Sequence, residues 1–150
     1  MKEQKKQTTE NIQKEIKNKT SLSPKSNANK PFTAVIRISG IVGVPKDIEN
    51  TLYRLRLRRK YVCVVIDTNN KSIQGLLKKV KFYVAYGEIS KETQDKLIKA
   101  RGEKISGKNE LKPFFRLHPP RGGIKSKLQY PKGVLGNNKD DINKLIERML

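Results

Sequence analysis

The sequence predicts a mixed fold with the element order strand-helix-strand-helix-strand: one small sheet carrying two helices on one face. Two observations lead there. β-Branched runs alternate with apolar stripes at helical spacing between residues 32 and 89, and the composition changes abruptly at residue 32. Leu, Ile, Val and Phe supply three of the first 31 residues (Ile12, Ile16, Leu22) and 37 of the following 119. Roughly a fifth is where a chain stops burying enough surface to offset its ordering entropy. Residues 1–31, with eight Lys and three Glu, are therefore expected to be a disordered Lys-rich tail. Residues 32–150 form one domain, divided into a core (32–89) and an extension (90–150).

Ala34 to Ser39 is a β-branched run with one charge, Arg37, closed by Gly40, and reads as the first strand. Pro45 suits the first helical position, and Asp47 and Glu49 in the first turn favour the helix dipole. Ile48, Leu52 and Leu55 then form one apolar face. Tyr61 to Ile66 is apolar on both sides, as a central strand would be. Thr68, Asn69 and Asn70 offer a cap to a second helix with the stripe Ile73, Leu76, Leu77 and Val80. Gly75 within it costs up to ~1 kcal/mol relative to Ala and suggests close helix–sheet packing. Phe82 to Tyr86 reads as the third strand, ended by Gly87. Ser90 can cap a helix reaching Ala100, with Leu97 and Ile98 facing inward. Residues 103–112 are polar, and residues 113–136 hold four Pro and four Gly, so both read as loop. Asn138 can cap a last helix with the stripe Ile142, Leu145, Ile146 and Met149.

Charge narrows the function. The 150 residues carry 34 Lys+Arg against 14 Asp+Glu, a formal charge of +20. Such self-repulsion implies a polyanionic partner, most often nucleic acid. The longest apolar run, Val62 to Ile66, is far short of the ~20 residues of a membrane span, and Met1 to Gln13 has no apolar stretch suited to a secretory signal. One Cys and one His exclude a disulfide framework and multi-cysteine zinc chemistry. Cys63 lies in the most apolar strand and reads as a buried, inert thiol. His118 has no carboxylate or serine assigned to it by spacing, Asp67 suits the turn it begins, and Gly40 to Gly43 lacks the spacing of a nucleotide loop. No catalytic constellation emerges, so neither enzyme activity nor a cofactor nor a small-molecule substrate is expected.

Two segments are strongly one-signed. In Leu52 to Tyr61, the cations Arg54, Arg56, Arg58, Arg59 and Lys60 cluster at a helix end. One or two would serve the helix dipole at ~0.3–1 kcal/mol each. Five in seven residues exceed that role, and the guanidinium fork suits phosphate oxygens. In Phe114 to Lys132 there is no acid at all. Here Arg116, His118, Arg121, Lys125, Lys127 and Lys132 accompany a Pro119-Pro120 stiffener and a Gly122-Gly123 pair that permits close backbone approach. Alternation with Ile124, Ser126 and Leu128 would put Lys125 and Lys127 on one face of an extended segment. A rigid, acid-free loop of this kind suits folded RNA, which is recognised largely by shape; an ordinary solvated surface loop is the alternative reading.

Three stretches, GVPKDIENTLYRLRLRRKYVCVVID (43–67), GLLKKVKFYVAYGEI (75–89) and FRLHPPRGG (115–123), with DDINKLIERM (140–149), resemble the large-ribosomal-subunit protein thirty family. The likeness is to its archaeal and eukaryotic form, called protein seven in eukaryotes, and it covers about 34–150. FRLHPPRGG is the most specific piece. The resemblance implies an α+β fold with a three-stranded, largely antiparallel sheet and some ferredoxin-like character. It also implies a non-enzymatic, cytoplasmic constituent of the large ribosomal subunit that binds its RNA, near the small five-S RNA and among neighbouring ribosomal proteins. The Arg58-Arg59-Lys60 turn and the Arg121-Gly122-Gly123 loop would then face RNA. Two departures stand out: a shortened insert between Arg101 and Leu111, and the basic tail 1–31. Charge and tail alone would also suit a free nucleic-acid-binding protein of DNA-compacting or RNA-chaperone type.

Overall fold

The computed structural model describes residues 32–107 and 110–150; the expected tail lies outside the described residues. In chain order the elements are β1 (Phe32–Arg37), α1 (Lys46–Arg54), β2 (Val62–Asp67), α2 (Lys71–Val80), β3 (Val84–Glu88), α3 (Lys91–Arg101), β4 (Phe115–Arg116), β5 (Gly136–Asn137) and α4 (Asp141–Glu147). The architecture is α+β, as expected, but the sheet has five strands instead of three, in the order β4-β2-β1-β3-β5. β1 is the central strand, antiparallel to both β2 and β3. The two additional strands are two-residue edges supplied by the Pro- and Gly-rich extension. β4 pairs antiparallel with β2, and β5 pairs parallel with β3.

Period-two alternation sorts the strands' side chains onto two faces. Val35, Val62, Val64 and Val84 pack with Leu52, Leu55 and Leu57 around α1 and with Leu77 and Val80 of α2. Ala34, Ile36, Cys63 and Ala85 meet Leu97 of α3, Ile142, Leu145 and Ile146 of α4, Met149, and Phe115, Leu117 and Leu135 of the extension. The sheet is therefore covered on both faces, with α1 and α2 on one side and α3 and α4 on the other.

Local chemistry explains most element ends. Asn70 caps α2, its side-chain oxygen accepting from Ser72 N at 3.1 Å, and Ser90 caps α3 by accepting from Thr93 N at 3.3 Å. Pro45 sits one position before α1, as its cap residue. Asn138 does not cap α4. It is buried, and its amide donates to Val134 O at 2.9 Å. The third strand starts at Val84, two residues later than the apolar run suggests, and Phe82 is 56% exposed. Gly87 lies within β3: a Cβ there would strike Lys139 O and Ile142, so its bareness lets the start of α4 lie against the sheet. Gly75 has nothing within 4 Å of an added Cβ, so close packing does not account for it.

Candidate nucleic-acid interface

Strand register defines the two ends of the sheet. Arg37 faces Val84, and Val62 faces Arg116, at one end; Asp67 and Glu88 sit opposite Phe32 and Thr33 at the other. The first end is where α1 returns its chain to β2 and where β4 stops. Both one-signed segments reach it, although some 55 residues separate them in sequence.

The arginine segment is shaped by alternation. Leu55 and Leu57 are buried while Arg54, Arg56 and Arg58 between and beside them are exposed. After α1 the chain turns sharply: Arg56 N donates to Tyr53 O, Leu57 N donates to Leu52 O, and Arg56 takes a left-handed φ of 62°. Arg37 fixes this turn from below. Its side chain is only 2% exposed. Nε donates to Ser39 O (3.0 Å), Nη2 to Gly40 O (2.9 Å), and Nη1 to both Leu57 O (2.8 Å) and Arg58 O (3.1 Å). Burial lowers the Arg37 pKa, and the Glu49 carboxylate acts in the opposite direction. The one charge in the first β-branched run is thus a clamp joining the β1–α1 loop to the arginine turn.

Above the clamp, Arg58 donates to Tyr53 Oη at 2.7 Å and lies 4.1 Å from that ring's centroid. Lys60 lies 4.6 Å over the Tyr61 ring, and Arg116 is 6.0 Å from the Phe114 centroid. Arg56, Arg58, Arg59 and Arg116 line one cleft of about 320 Å³ whose remaining walls are Val62 and Phe114. Arg54 and Lys60 are exposed beside it but do not line it. Lys81, 5.0 Å over the exposed Phe82 ring, stands just before β3 at the same end of the sheet.

The second basic segment is bolted to the end of α4. His118 N donates to Met149 O (3.0 Å) and Arg121 N to Arg148 O (2.9 Å). In return, the Arg148 guanidinium donates to Arg121 O (2.8 Å from Nη2) and Gly123 O (2.8 Å). Pro120 is buried, Gly123 N closes a turn onto Pro120 O, and the Arg121 and His118 side chains point to solvent. Gly122 and Gly123 both hold left-handed φ values, 76° and 68°, that L side chains rarely adopt. Further along, Ile124 and Ser126 are half-buried and Lys125 and Lys127 exposed, but Leu128, expected on the inner side with them, is 62% exposed, so the alternation stops at Lys127. Lys125 and Lys132 share a shallow depression with Arg148, whereas Lys127 lies outside it.

Several contributors were invisible from spacing. Arg148 follows the end of α4 in a segment, 137–150, whose charges balance, and Tyr53 reads as an ordinary α1 residue. The doubled aromatic Phe114-Phe115 was a signal: Phe115 is buried in the core, leaving Phe114 to the cleft. Cys63 is fully buried and its thiol is pushed up to about 12 by burial. Among the described residues no cluster of His, Cys, Asp and Glu could hold a metal ion, and no helix is long and apolar enough to cross a membrane.

Comparison with known proteins gives this geometry a lineage. Residues 33–84 match the sequence profile of the ribosomal protein L30p/L7e family. The large ribosomal subunit protein uL30 of Archaeoglobus fulgidus is 41% identical over 150 aligned positions, covering 77% of this chain and 98% of the relative. That of Desulfurococcus amylolyticus is 37% identical, covering 78% and 97%, and that of Aeropyrum pernix 35%, covering 80% and 99%. Alignments of this length that take up only about four-fifths of the chain mean that the relatives carry residues this chain lacks. With nearly the whole length of each relative matched, the chain belongs to the L30p/L7e family of ribosomal proteins.

Proposed function

We propose that this chain is a structural constituent of the large ribosomal subunit in the cytoplasm and binds large-subunit RNA through the basic end of its sheet. One observation carries the reading: two sequence-distant, one-signed segments converge there, and four arginines line a cleft that contains no acidic residue. The arginine turn supplies attraction, since cations follow phosphates with little regard to sequence. The Pro119–Gly123 loop, held by Arg148, supplies the rigid probe that recognition of RNA shape requires. Residues 32–150 constitute the RNA-binding domain, and segment 1–31 adds a net charge of +5. Membership of the family supports a position near the small five-S RNA, beside other ribosomal proteins, and a role without catalysis.

Sedimentation of a cell extract tests the assignment. The protein should remain in the large-subunit peak after a high-salt wash. Release into the free fraction would instead identify a soluble nucleic-acid binder of the compacting or chaperone type.

A further inference from the structure

We propose that the arginine cleft receives the base of one unpaired nucleotide, stacked against Phe114, while the surrounding guanidiniums hold the flanking phosphates. This inference rests on the reading of this end of the sheet as an RNA interface and names what one part of it recognises. Phosphate binding alone requires neither a cavity nor a ring, because side chains on an open surface can track a backbone. Here Val62 and Phe114 form apolar walls inside a rim of Arg56, Arg58, Arg59 and Arg116. An apolar wall gives nothing to a phosphate, but an aromatic face and guanidinium planes are the usual platforms for an unstacked base. The volume, about 320 Å³, lies at the small end of the ~300–1,000 Å³ range of ligand sites.

The rim is also pre-positioned. Arg58 is held by both the hydroxyl and the ring of Tyr53, the turn carrying Arg56 and Arg58 is clamped by Arg37, and Arg116 is fixed by the pairing of β4 with Val62. Phe114 is half-buried against the apolar cluster of α1 and α2 and also lines the cleft, with Arg116 6.0 Å from its ring centroid, so the ring is supported where it meets the cleft. A paired base in a helix cannot enter such a space; a bulged or splayed-out one can.

The test uses the full-length protein and two RNA hairpins with the same stem, one fully paired and one carrying a single bulged 2-aminopurine. The bulged hairpin should bind about tenfold more tightly, the scale of one base–aromatic stack, with its fluorescence quenched. Phe114→Leu should abolish the quench and bring the two affinities within about twofold of each other. Phe114→Tyr, which keeps the ring, should retain both quench and preference. Equal binding of the two hairpins by the parent protein, or a preference that survives Phe114→Leu, would overturn the cleft assignment while leaving the interface intact. Displacement of the bulged hairpin by micromolar AMP would also overturn it, in favour of a free nucleotide. Failure to bind either hairpin would remove the RNA-interface reading itself.

Discussion

Replacing Arg37 with Met should both destabilise the fold and weaken RNA binding, although Arg37 is too deeply buried to touch RNA. The guanidinium satisfies four loop carbonyls. That of Leu57 is bonded in a fully buried setting, and stranding it costs ~1–3 kcal/mol. The carbonyls of Ser39, Gly40 and Arg58 are part-buried and can recruit water, each losing ~0.5–1.5 kcal/mol of net bonding. Met fills most of the vacated volume, and relief of the guanidinium's desolvation offsets part of the sum. A net loss of about 2–4 kcal/mol remains. With a urea dependence near ~2 kcal/mol per molar, the unfolding midpoint followed by circular dichroism should fall by roughly 1–2 M. Arg59→Gln is the matched control: it removes an exposed cation, so it should weaken RNA binding while leaving the midpoint in place. If Arg37→Met shifts the midpoint by less than about 0.3 M, the four bonds are not a clamp, and the reasoning fails.

Four further outcomes are expected. Replacing Arg58, Arg59 and Lys60 with Gln should flatten the salt dependence of ribosomal-RNA binding by roughly two units of log–log slope, about 0.7–0.9 per lost phosphate contact; an unchanged slope would return these side chains to serving the helix end. Substituting Val at Gly122 and Gly123 forces β-branched residues into left-handed φ at ~1–2 kcal/mol each. In a competition assay, binding to random RNA should stay within about twofold while binding to large-subunit RNA falls about tenfold or more; equal losses on both would remove the loop's role in shape recognition. A chain beginning at Pro31 should keep its circular dichroism spectrum and lose less than about 1 kcal/mol, because only three of the large apolar residues precede it; loss of cooperative unfolding would move the domain boundary. Finally, Cys63 should resist a thiol reagent at pH 8 until the protein is unfolded. Because its folded pKa is raised to about 12 from 9.0, the folded state holds the proton more tightly, and stability should decline as pH climbs above 9. Rapid labelling of the native protein would contradict this burial.

What could be read from the residues was the part governed by local periodicity. The stripe Ile142, Leu145, Ile146 and Met149 is buried throughout, Leu97 faces inward, and Asn70 and Ser90 cap as their positions suggest. Two-residue strands leave no period to detect, so β4 and β5 were hidden within a stretch rich in Pro and Gly. The composition of the candidate site was legible, but its assembly was not. Arg116 joins Arg56, Arg58 and Arg59 only because Val62 pairs with it, a contact across more than fifty residues. Arg37 was plainly a charge in an apolar run, yet two of its acceptors lie about twenty residues away in a turn whose path depends on Arg56 adopting a left-handed φ.

The two short edge strands bear on how the molecule is made. Until residues 115–137 have emerged, β2 and β3 present bare edges, and the sheet face bearing Ala34, Ile36, Cys63 and Ala85 lacks its cover of α4, Phe115 and Leu135. Bare edges and an uncovered apolar face invite pairing with other chains. At a synthesis rate of ~5–20 residues per second, the 61 residues after position 89 take roughly 3–12 s to appear. For those seconds the nascent chain is a sticky half-sandwich, and its net charge of +8 over residues 32–86 would draw it toward any nearby polyanion. A chain broken off near residue 89 would remain permanently in that condition, so early truncation should yield aggregates and not a smaller working module.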